Sequence, residues 1–187
     1  MDIKTKQEKF LDLLDPHRDS LYMYARAIEK NREDAEDLCS ETILTCYEYF
    51  HKLKDESSFK AYLFKVARHK FRRKIRRSQK FDKYDEKTAE NLVSNDTQPD
   101  LPADIKILYE ALELLPVKQK EAVVLFEISG FLIKEISEIQ GGTMSAVKSR
   151  IKRGREKLTE ILCPEKKFDV KDNDTKNKMK FNAKVLS

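Results

Sequence analysis

The chain has 187 residues, of which 40% are hydrophobic and 38% are charged, with a formal net charge of +5 at pH 7. This balance provides enough apolar residues for packed cores, and with only four glycines and five prolines it favours helices with solvated outer faces. The three cysteines have no framework spacing, and no apolar stretch matches a membrane span or a signal-peptide core. The composition therefore speaks against a disulfide-rich secreted protein or a membrane protein and predicts a cytoplasmic one.

Three helices are predicted in the first part of the chain. Apolar residues recur at helical spacing over residues 10–28, where Pro16 marks either a helix start or a break. A second helix is expected at about residues 34–50. A third follows the polar stretch before Phe59 and keeps this spacing to about residue 77.

Composition changes at residues 78–104, which are rich in Asp, Lys, Asn, Gln and Thr and contain Pro99 and Pro102. A segment this long with little periodicity is improbable inside one compact domain, so we read it as a flexible linker. It predicts two domains, residues 1–77 and 105–162.

Four helices are predicted in the second part of the chain. Their approximate ranges are 105–115, 118–128, 132–139 and 145–162, with turns at Gly130 and at Gly141 and Gly142, and residues 163–187 form a Lys-rich tail expected to be disordered. The predicted fold class is all-α, with two small helical bundles joined by a flexible linker and a helix-turn-helix in the C-terminal bundle.

Residues 60–77 hold nine Lys or Arg residues and no acid. Cations attract phosphates, and interleaved aromatics such as Tyr62 and Phe71 provide stacking partners for unstacked bases. The alternative is that the aromatics are core residues and the charges cover a solvated face, but solvated faces usually mix charges of both signs. The segment therefore favours binding of single-stranded nucleic acid.

Residues 131–158 have the pattern of a helix-turn-helix, with a Gly-containing turn between two helices. The start of the second helix in such a motif reaches base edges in the major groove, and flanking cations hold phosphates. The residues expected at base edges are Ser145, Lys148, Ser149 and Lys152, and those expected at phosphates are Arg150, Arg153, Arg155 and Lys157.

Acidic residues crowd the start of the second predicted helix, between Glu29 and Glu41. Carboxylates there complement the helix dipole, and an acidic face of this kind could equally dock a basic protein. Charge alone leaves both explanations open.

No catalytic constellation is recognisable in the sequence. The histidines His17, His51 and His69 lie far apart, and there is no P-loop, nucleophile elbow or zinc-type cysteine pair. We therefore expect a protein that is not an enzyme and that needs no cofactor or metal.

Four segments, taken in order, resemble the extracytoplasmic-function sigma factors. They are DAEDLCSETIL at residues 34–44, FKAYLFKVARHKFRRKIRR at 59–77, ALELLPVKQKEAVVLFEISGF at 111–131 and VKSRIKRGREKL at 147–158. At four positions the family more often has a different residue. It has Gln in place of Ser40, Trp in place of Tyr62, Asn in place of His69 and Thr in place of Ala146.

The resemblance implies three sets of site residues. Polymerase-binding residues would be Asp37, Ser40 and Glu41; residues that melt and read the minus-ten element would be Ser58, Phe59, Tyr62, Lys65, Arg68, His69, Arg72, Arg73 and Arg76. Residues at the minus-thirty-five element would be Ser145, Lys148, Ser149, Arg150, Lys152, Arg153 and Arg155.

The implied function is recruitment of core RNA polymerase to specific promoters and assistance in opening them. The implied partners are core RNA polymerase, promoter DNA as duplex and melted strand, and an anti-sigma factor. Two rival functions are a helix-turn-helix regulator that acts without polymerase and predicts a palindromic site, and a helical adaptor that binds only protein. An enzyme is a more distant rival.

Overall fold

The structure is a computed structural model that describes residues 3–82 and 102–164. All regular structure within these two ranges is helical, which confirms the predicted all-α class. The helices are α1 Ile3–Leu14, α2 Arg18–Ile28, α3 Arg32–Glu48, α4 Phe59–Asp82, α5 Ala103–Glu113, α6 Val117–Val123, α7 Ile133–Gln140 and α8 Met144–Leu162.

Helices α1 to α4 form the first bundle around an aromatic core. Phe10 meets Phe50 and Phe59 edge to face, with ring centroids 5.4 Å and 5.7 Å apart. Pro16 lies in a 3-10 turn, Asp15–His17, and therefore marks a break between α1 and α2. Such a turn suits proline, whose ring blocks continuation of an α-helix from the preceding residues.

Helix α4 continues to Asp82, five residues beyond the end expected from apolar spacing. Residues 78–82 contain no Gly or Pro, so nothing in their backbone propensities stops the helix once it is nucleated. At the other end, α5 begins at Ala103 directly after Pro102. The remainder of the predicted linker, and the tail beyond Pro164, lie outside the described residues.

Helices α5 to α8 form the second bundle. Between α6 and α7 the chain makes a π-helical turn, Val124–Ile128, in which the Ser129 amide donates to the Val124 carbonyl at 3.0 Å. Gly130 ends this stretch with a positive φ of 69°, as expected for a glycine C-cap. Gly141 and Gly142 also have positive φ, and they form the turn of the predicted helix-turn-helix.

The two bundles pack against each other. Helix α4 lies against α7, and α2 lies against α5 and the π-helical turn. Phe64 of α4 and Phe131 just before α7 are both fully buried at this contact. The sequence predicted two tethered bundles and contained no recognised signal for their association.

Candidate nucleic-acid interface

The basic helix α4 presents three different faces. One is the apolar stripe with Leu63, Ala67 and Phe71, which is buried in the first bundle. Since successive residues are rotated by about 100° around a helix, the cations fall on both sides of this stripe and opposite it. The exposed members of the segment are Lys65, His69, Arg73, Lys74, Arg76 and Arg77.

One side of α4 is paired with the acidic residues near the start of α3. Lys70 Nζ lies 3.1 Å from Glu41 Oε2, and Lys74 Nζ lies 3.1 Å from Glu29 Oε2 and 2.6 Å from Asp34 Oδ1. Partial burial lowers the pKa of Lys74, but its hydrogen bonds to Asp34 and Glu29 raise that pKa above its ordinary value overall. Three of the clustered acids therefore form ion pairs within the first bundle, a role that the charge pattern alone did not indicate.

The other side of α4 carries Arg68 and Arg72, which reach into the second bundle. Both guanidiniums contact Glu121 of α6, with Arg68 Nε 3.1 Å from Oε2 and Arg72 Nε 3.1 Å from Oε1. The Glu121 side chain has no exposed surface, and burial raises the pKa of its carboxyl in spite of the two arginines. Arg68 Nη1 also donates to the Ile139 carbonyl at 3.3 Å.

Glu121 was not predicted as a site residue. A usable signal existed, because this acid precedes the apolar run 122–126 and occupies a register that a buried helix face would place inward. A charged residue in such a register is normally paired.

The aromatic residues of the segment have two different roles. Phe59 is 1% exposed and packs in the first core, and Phe71 is also buried. The placement of Phe59 at the minus-ten DNA stays a prediction, and in this structure its buried ring has no face open to a base. Tyr62 is half-buried and stays close to the surface.

Tyr62 lines a cleft of about 550 Å³ at the start of α4. Ser58, Lys65 and Tyr49 line the same cleft from the first bundle, and Glu138 of α7 lines it from the second. Burial raises the pKa of the Tyr62 hydroxyl above its ordinary value. The cleft combines an aromatic ring, a hydroxyl and a cation, which are groups able to hold an unstacked base.

The loop before α4 is ordered by its own side chains. The Asp55 carboxylate accepts from the Ser57 amide at 3.0 Å, and the Ser58 hydroxyl donates to the Asp55 carbonyl at 2.6 Å. The bonds from Ser57 lower the pKa of Asp55. Ser58 is thereby fixed at the rim of the cleft.

The predicted helix-turn-helix is present in α7 and α8. The buried residues between the two helices are Ile136, Ile139, Val147 and Ile151. The Thr143 hydroxyl caps α8 by accepting from the Ala146 amide at 3.2 Å. The residues exposed at the start of α8 and along its outer face are Ser145, Lys148, Ser149, Lys152 and Arg153.

Two further arginines of α8 are tied to the second bundle. Arg150 Nη1 donates to Gln140 Oε1 at 2.8 Å, which joins the two helices of the motif. Arg155 Nε donates to Glu127 Oε1 at 2.6 Å and the guanidinium lies over the Phe126 ring. In this conformation both side chains stabilise the helix-turn-helix next to the exposed outer face of α8.

The residues predicted to bind polymerase lie together on α3. Asp37, Ser40 and Glu41 are exposed, and their spacing of three and four residues puts them on one face. Asn31 caps this helix by accepting from the Asp34 amide at 2.8 Å, which fixes where the face begins.

In the part of the chain that the structure describes, no group of three or more His, Cys, Asp or Glu residues could hold a metal ion. Across residues 3–82 and 102–164, no helix has the length and apolar character needed to cross a membrane.

Two family models match the chain. Sigma-70 region 2 matches residues 13–81, and Sigma-70, region 4 matches residues 105–158. Among curated proteins, the ECF RNA polymerase sigma factor EcfG of Rhodopseudomonas palustris is 31% identical over 159 residues, which cover 83% of this chain and 86% of that protein.

Solved structures show the same fold. The sigma factor RpoE of Bartonella quintana, determined in complex with the anti-sigma factor NepR, aligns with a TM-score of 0.68 at 26% identity and covers 88% of this chain and 100% of that one. CnrH, determined with the cytosolic domain of CnrY, aligns with a TM-score of 0.65 at 23% identity over 86% and 91% of the two chains. The two matched regions, the curated relative and the shared fold establish that this chain belongs to the ECF RNA polymerase sigma factors of the sigma-70 family.

Proposed function

We propose that this sigma factor, which recruits RNA polymerase to promoters, works through three separate surfaces. The first bundle, predicted as residues 1–77 and extended by the end of α4, would bind polymerase and the minus-ten element. The second bundle, residues 105–162, would bind the minus-thirty-five element. Residues 78–104 would connect them, and the Lys-rich tail 163–187 has no assigned role.

The polymerase surface is the exposed face of α3 with Asp37, Ser40 and Glu41. Its position supports the assignment, because all three residues are exposed on α3 although α4 packs against that helix. Exposed carboxylates on one helix face are available to a basic partner surface and speed its approach. Lys70 neutralises Glu41 in part, so Asp37 is the stronger contact.

The minus-ten surface is the outward face of α4 together with the cleft at Tyr62. The observation that carries this assignment is the row of exposed cations Lys65, Arg73 and Arg76 running away from an aromatic cleft. The cations would hold the backbone of the melted strand, while Tyr62, Ser58 and His69 would contact its unstacked bases. Arg68 and Arg72 would join this face once they are released from Glu121.

The minus-thirty-five surface is the start of α8 and its outer side. Ser145, Lys148, Ser149 and Lys152 would reach base edges in the major groove, as the second helix of this motif does. Arg153 is exposed beside them and would hold a phosphate. Arg150 and Arg155 would contribute mainly by stabilising the helix-turn-helix through Gln140 and Glu127. On binding of duplex DNA, they would exchange these partners for phosphates.

We also propose an anti-sigma factor as a regulatory partner, since the Bartonella quintana relative was determined with one. The mechanism needs no covalent step, cofactor or metal, because it consists of binding, positioning and strand capture. Its partners are polymerase and promoter DNA, so the protein would act in the cytoplasm. A regulator that binds duplex DNA without polymerase accounts for α8 but leaves the acidic face of α3 and the cleft at Tyr62 without a role.

The three assignments can be separated by charge reversal at one surface at a time. Asp37→Lys is expected to abolish co-purification with core polymerase. Arg73→Glu with Arg76→Glu should keep polymerase binding but lose permanganate reactivity of the melted minus-ten strand. Lys148→Glu with Lys152→Glu should lose protection of the minus-thirty-five element from nuclease.

Lys106→Glu is the matched control, because the Lys106 side chain on α5 is 41% exposed and pairs only loosely with Glu110, at 4.0 Å. It should leave all three measurements unchanged. Retention of strand melting by the α4 double variant, with polymerase binding intact, would contradict the assignment of that helix.

A further inference from the structure

The contact between the two bundles is organised around one buried acid. Glu121 comes from the second bundle, and its side chain is 0% exposed. Arg68 and Arg72 come from the first bundle, lie 3.1 Å from its two oxygens, and are themselves only 19% and 23% exposed. A buried carboxylate needs such partners, because without them its desolvation is not compensated.

Further contacts join the bundles on both sides of Glu121. Lys120 Nζ donates at 2.8 Å to the Ile28 carbonyl at the end of α2, and Lys60 Nζ donates at 3.4 Å to the Ser129 carbonyl. Lys60 also lies over the Phe131 ring, 4.4 Å from its centroid. The last carbonyls of a helix carry partial negative charge and attract cations. The C-terminal end of α2 is therefore a favourable position for the Lys120 ammonium, which links the second bundle to the first.

These contacts involve the same helix that carries the minus-ten face. Phe131 and α7 cover one side of α4, and Glu138 lines the cleft of Tyr62 from the second bundle. Arg68 and Arg72 each contact Glu121 through Nε, and their side chains keep only 19% and 23% of their surface exposed. A phosphate could therefore engage both guanidiniums fully only after Glu121 and the second bundle have moved away.

We propose that the chain inhibits itself: Glu121 occupies Arg68 and Arg72 in place of DNA phosphate, and the bundles must separate before α4 can bind a melted strand. This inference rests on the proposed minus-ten role of α4. The device is built from the chain's own residues and requires no second protein to close it.

The scale of the effect follows from the fraction of open chains. When only a fraction of molecules is competent to bind, the apparent dissociation constant rises by the inverse of that fraction. If about one chain in ten is open, full opening should tighten binding of a single strand about tenfold.

Glu121→Gln tests the proposal, because it removes the charge and keeps the size of the side chain. Two measurements on the full-length protein are needed: the radius of gyration by small-angle X-ray scattering, and anisotropy of a short fluorescein-labelled single-stranded oligonucleotide. The expected result is a larger radius and about tenfold tighter binding. Lys120→Met, which breaks the bond to the Ile28 carbonyl instead, should produce both changes by an independent route and guards against misfolding of the first variant.

Glu127→Gln is the matched control, because it removes the same charge from an acid that pairs with Arg155 inside the second bundle. It should change neither the radius nor the affinity. Opened variants that bind the oligonucleotide no more tightly than the natural chain, or variants that stay closed, would overturn the self-inhibition.

Failure of the underlying minus-ten assignment has a different signature. Adding Arg73→Glu and Arg76→Glu to the Glu121→Gln chain should remove oligonucleotide binding while leaving the radius enlarged. Binding that survives these reversals would show that the open chain holds the strand elsewhere, which contradicts the role of α4 and not the opening.

Discussion

Phe64 of the first bundle and Phe131 of the second meet edge to face, with ring centroids 4.7 Å apart and 0% exposure of either residue. Edge-to-face aromatic pairs add about 0.5–1.5 kcal/mol beyond the burial of their area. Since separation of the bundles would expose surface on both rings, this pair favours the closed arrangement independently of charge. The closed state is therefore held by an apolar contact as well as by Glu121.

Replacing Phe131 by alanine should lower the free energy of unfolding by about 3 kcal/mol, since it leaves a cavity beside Phe64. Urea denaturation followed by circular dichroism measures this loss. Phe126→Ala is the comparison, because Phe126 is half-buried in the same bundle and should lose much less. Equal losses at the two positions would contradict the described packing of Phe131.

Gly154 in α8 has no room for a side chain. A Cβ at this position would lie 2.5 Å from Val123 Cγ2 of α6. Alanine normally improves a helix by about 1 kcal/mol over glycine, but overpacking of this kind costs about 1–3 kcal/mol. Gly154→Ala should therefore lower the melting temperature of the second bundle.

The same substitution should have the opposite sign when Val123 is shortened. In a Val123→Ala background the added methyl fills the space that the valine vacated, so Gly154→Ala should raise the melting temperature. A thermal double-mutant cycle measures this coupling. Additive effects of the two substitutions would show that α6 and α8 do not meet at these residues.

Arg153 is exposed on the outer side of α8 and is assigned to a phosphate of the minus-thirty-five duplex. Arg153→Ala should therefore weaken binding and reduce the slope of log affinity against log salt concentration by about 1. Titrations at several salt concentrations give the slope. Lys106→Ala, on α5, should leave the slope unchanged, and an unchanged slope for Arg153→Ala would contradict its assignment to a phosphate.

The three cysteines should differ in reactivity in the folded protein. Burial raises the pKa of Cys39 to about 11 and that of Cys46 to about 12, while Cys163 is exposed. Only the thiolate is nucleophilic, and a raised pKa keeps a thiol protonated at pH 8. Iodoacetamide at pH 8 should therefore modify Cys163 first, as mass spectrometry of timed samples would show. Rapid modification of Cys46 without denaturant would contradict its placement in the core.

The sequence predicted most of the fold because local signals agreed with the final packing. Apolar spacing located the helices, and Gly130, Gly141 and Gly142 lie at turns as predicted. Helix α4 was predicted too short, because its end was placed where the regular apolar spacing stops, whereas the helix continues to Asp82. The π-helical turn at Val124–Ile128 was not predicted, because apolar spacing indicated an ordinary α-helix over about residues 118–128.

The candidate site was less predictable than the fold. Spacing identified the basic segment of α4 but could not say which cations face solvent, which face α3 and which face Glu121. Phe59 was assigned to DNA from the family resemblance, whereas in the structure its ring packs against Phe10 and Phe50 in the first core. Contacts between the bundles join residues more than fifty positions apart, and no local pattern encodes them.

Function as a sigma factor is tested by transcription in vitro with bacterial core polymerase, with and without this protein, on a library of promoter fragments. We expect start sites that appear only with the protein and disappear with Arg73→Glu and Arg76→Glu. If specific initiation is absent and the protein does not co-purify with core polymerase while it still binds duplex DNA, it does not act as a sigma factor.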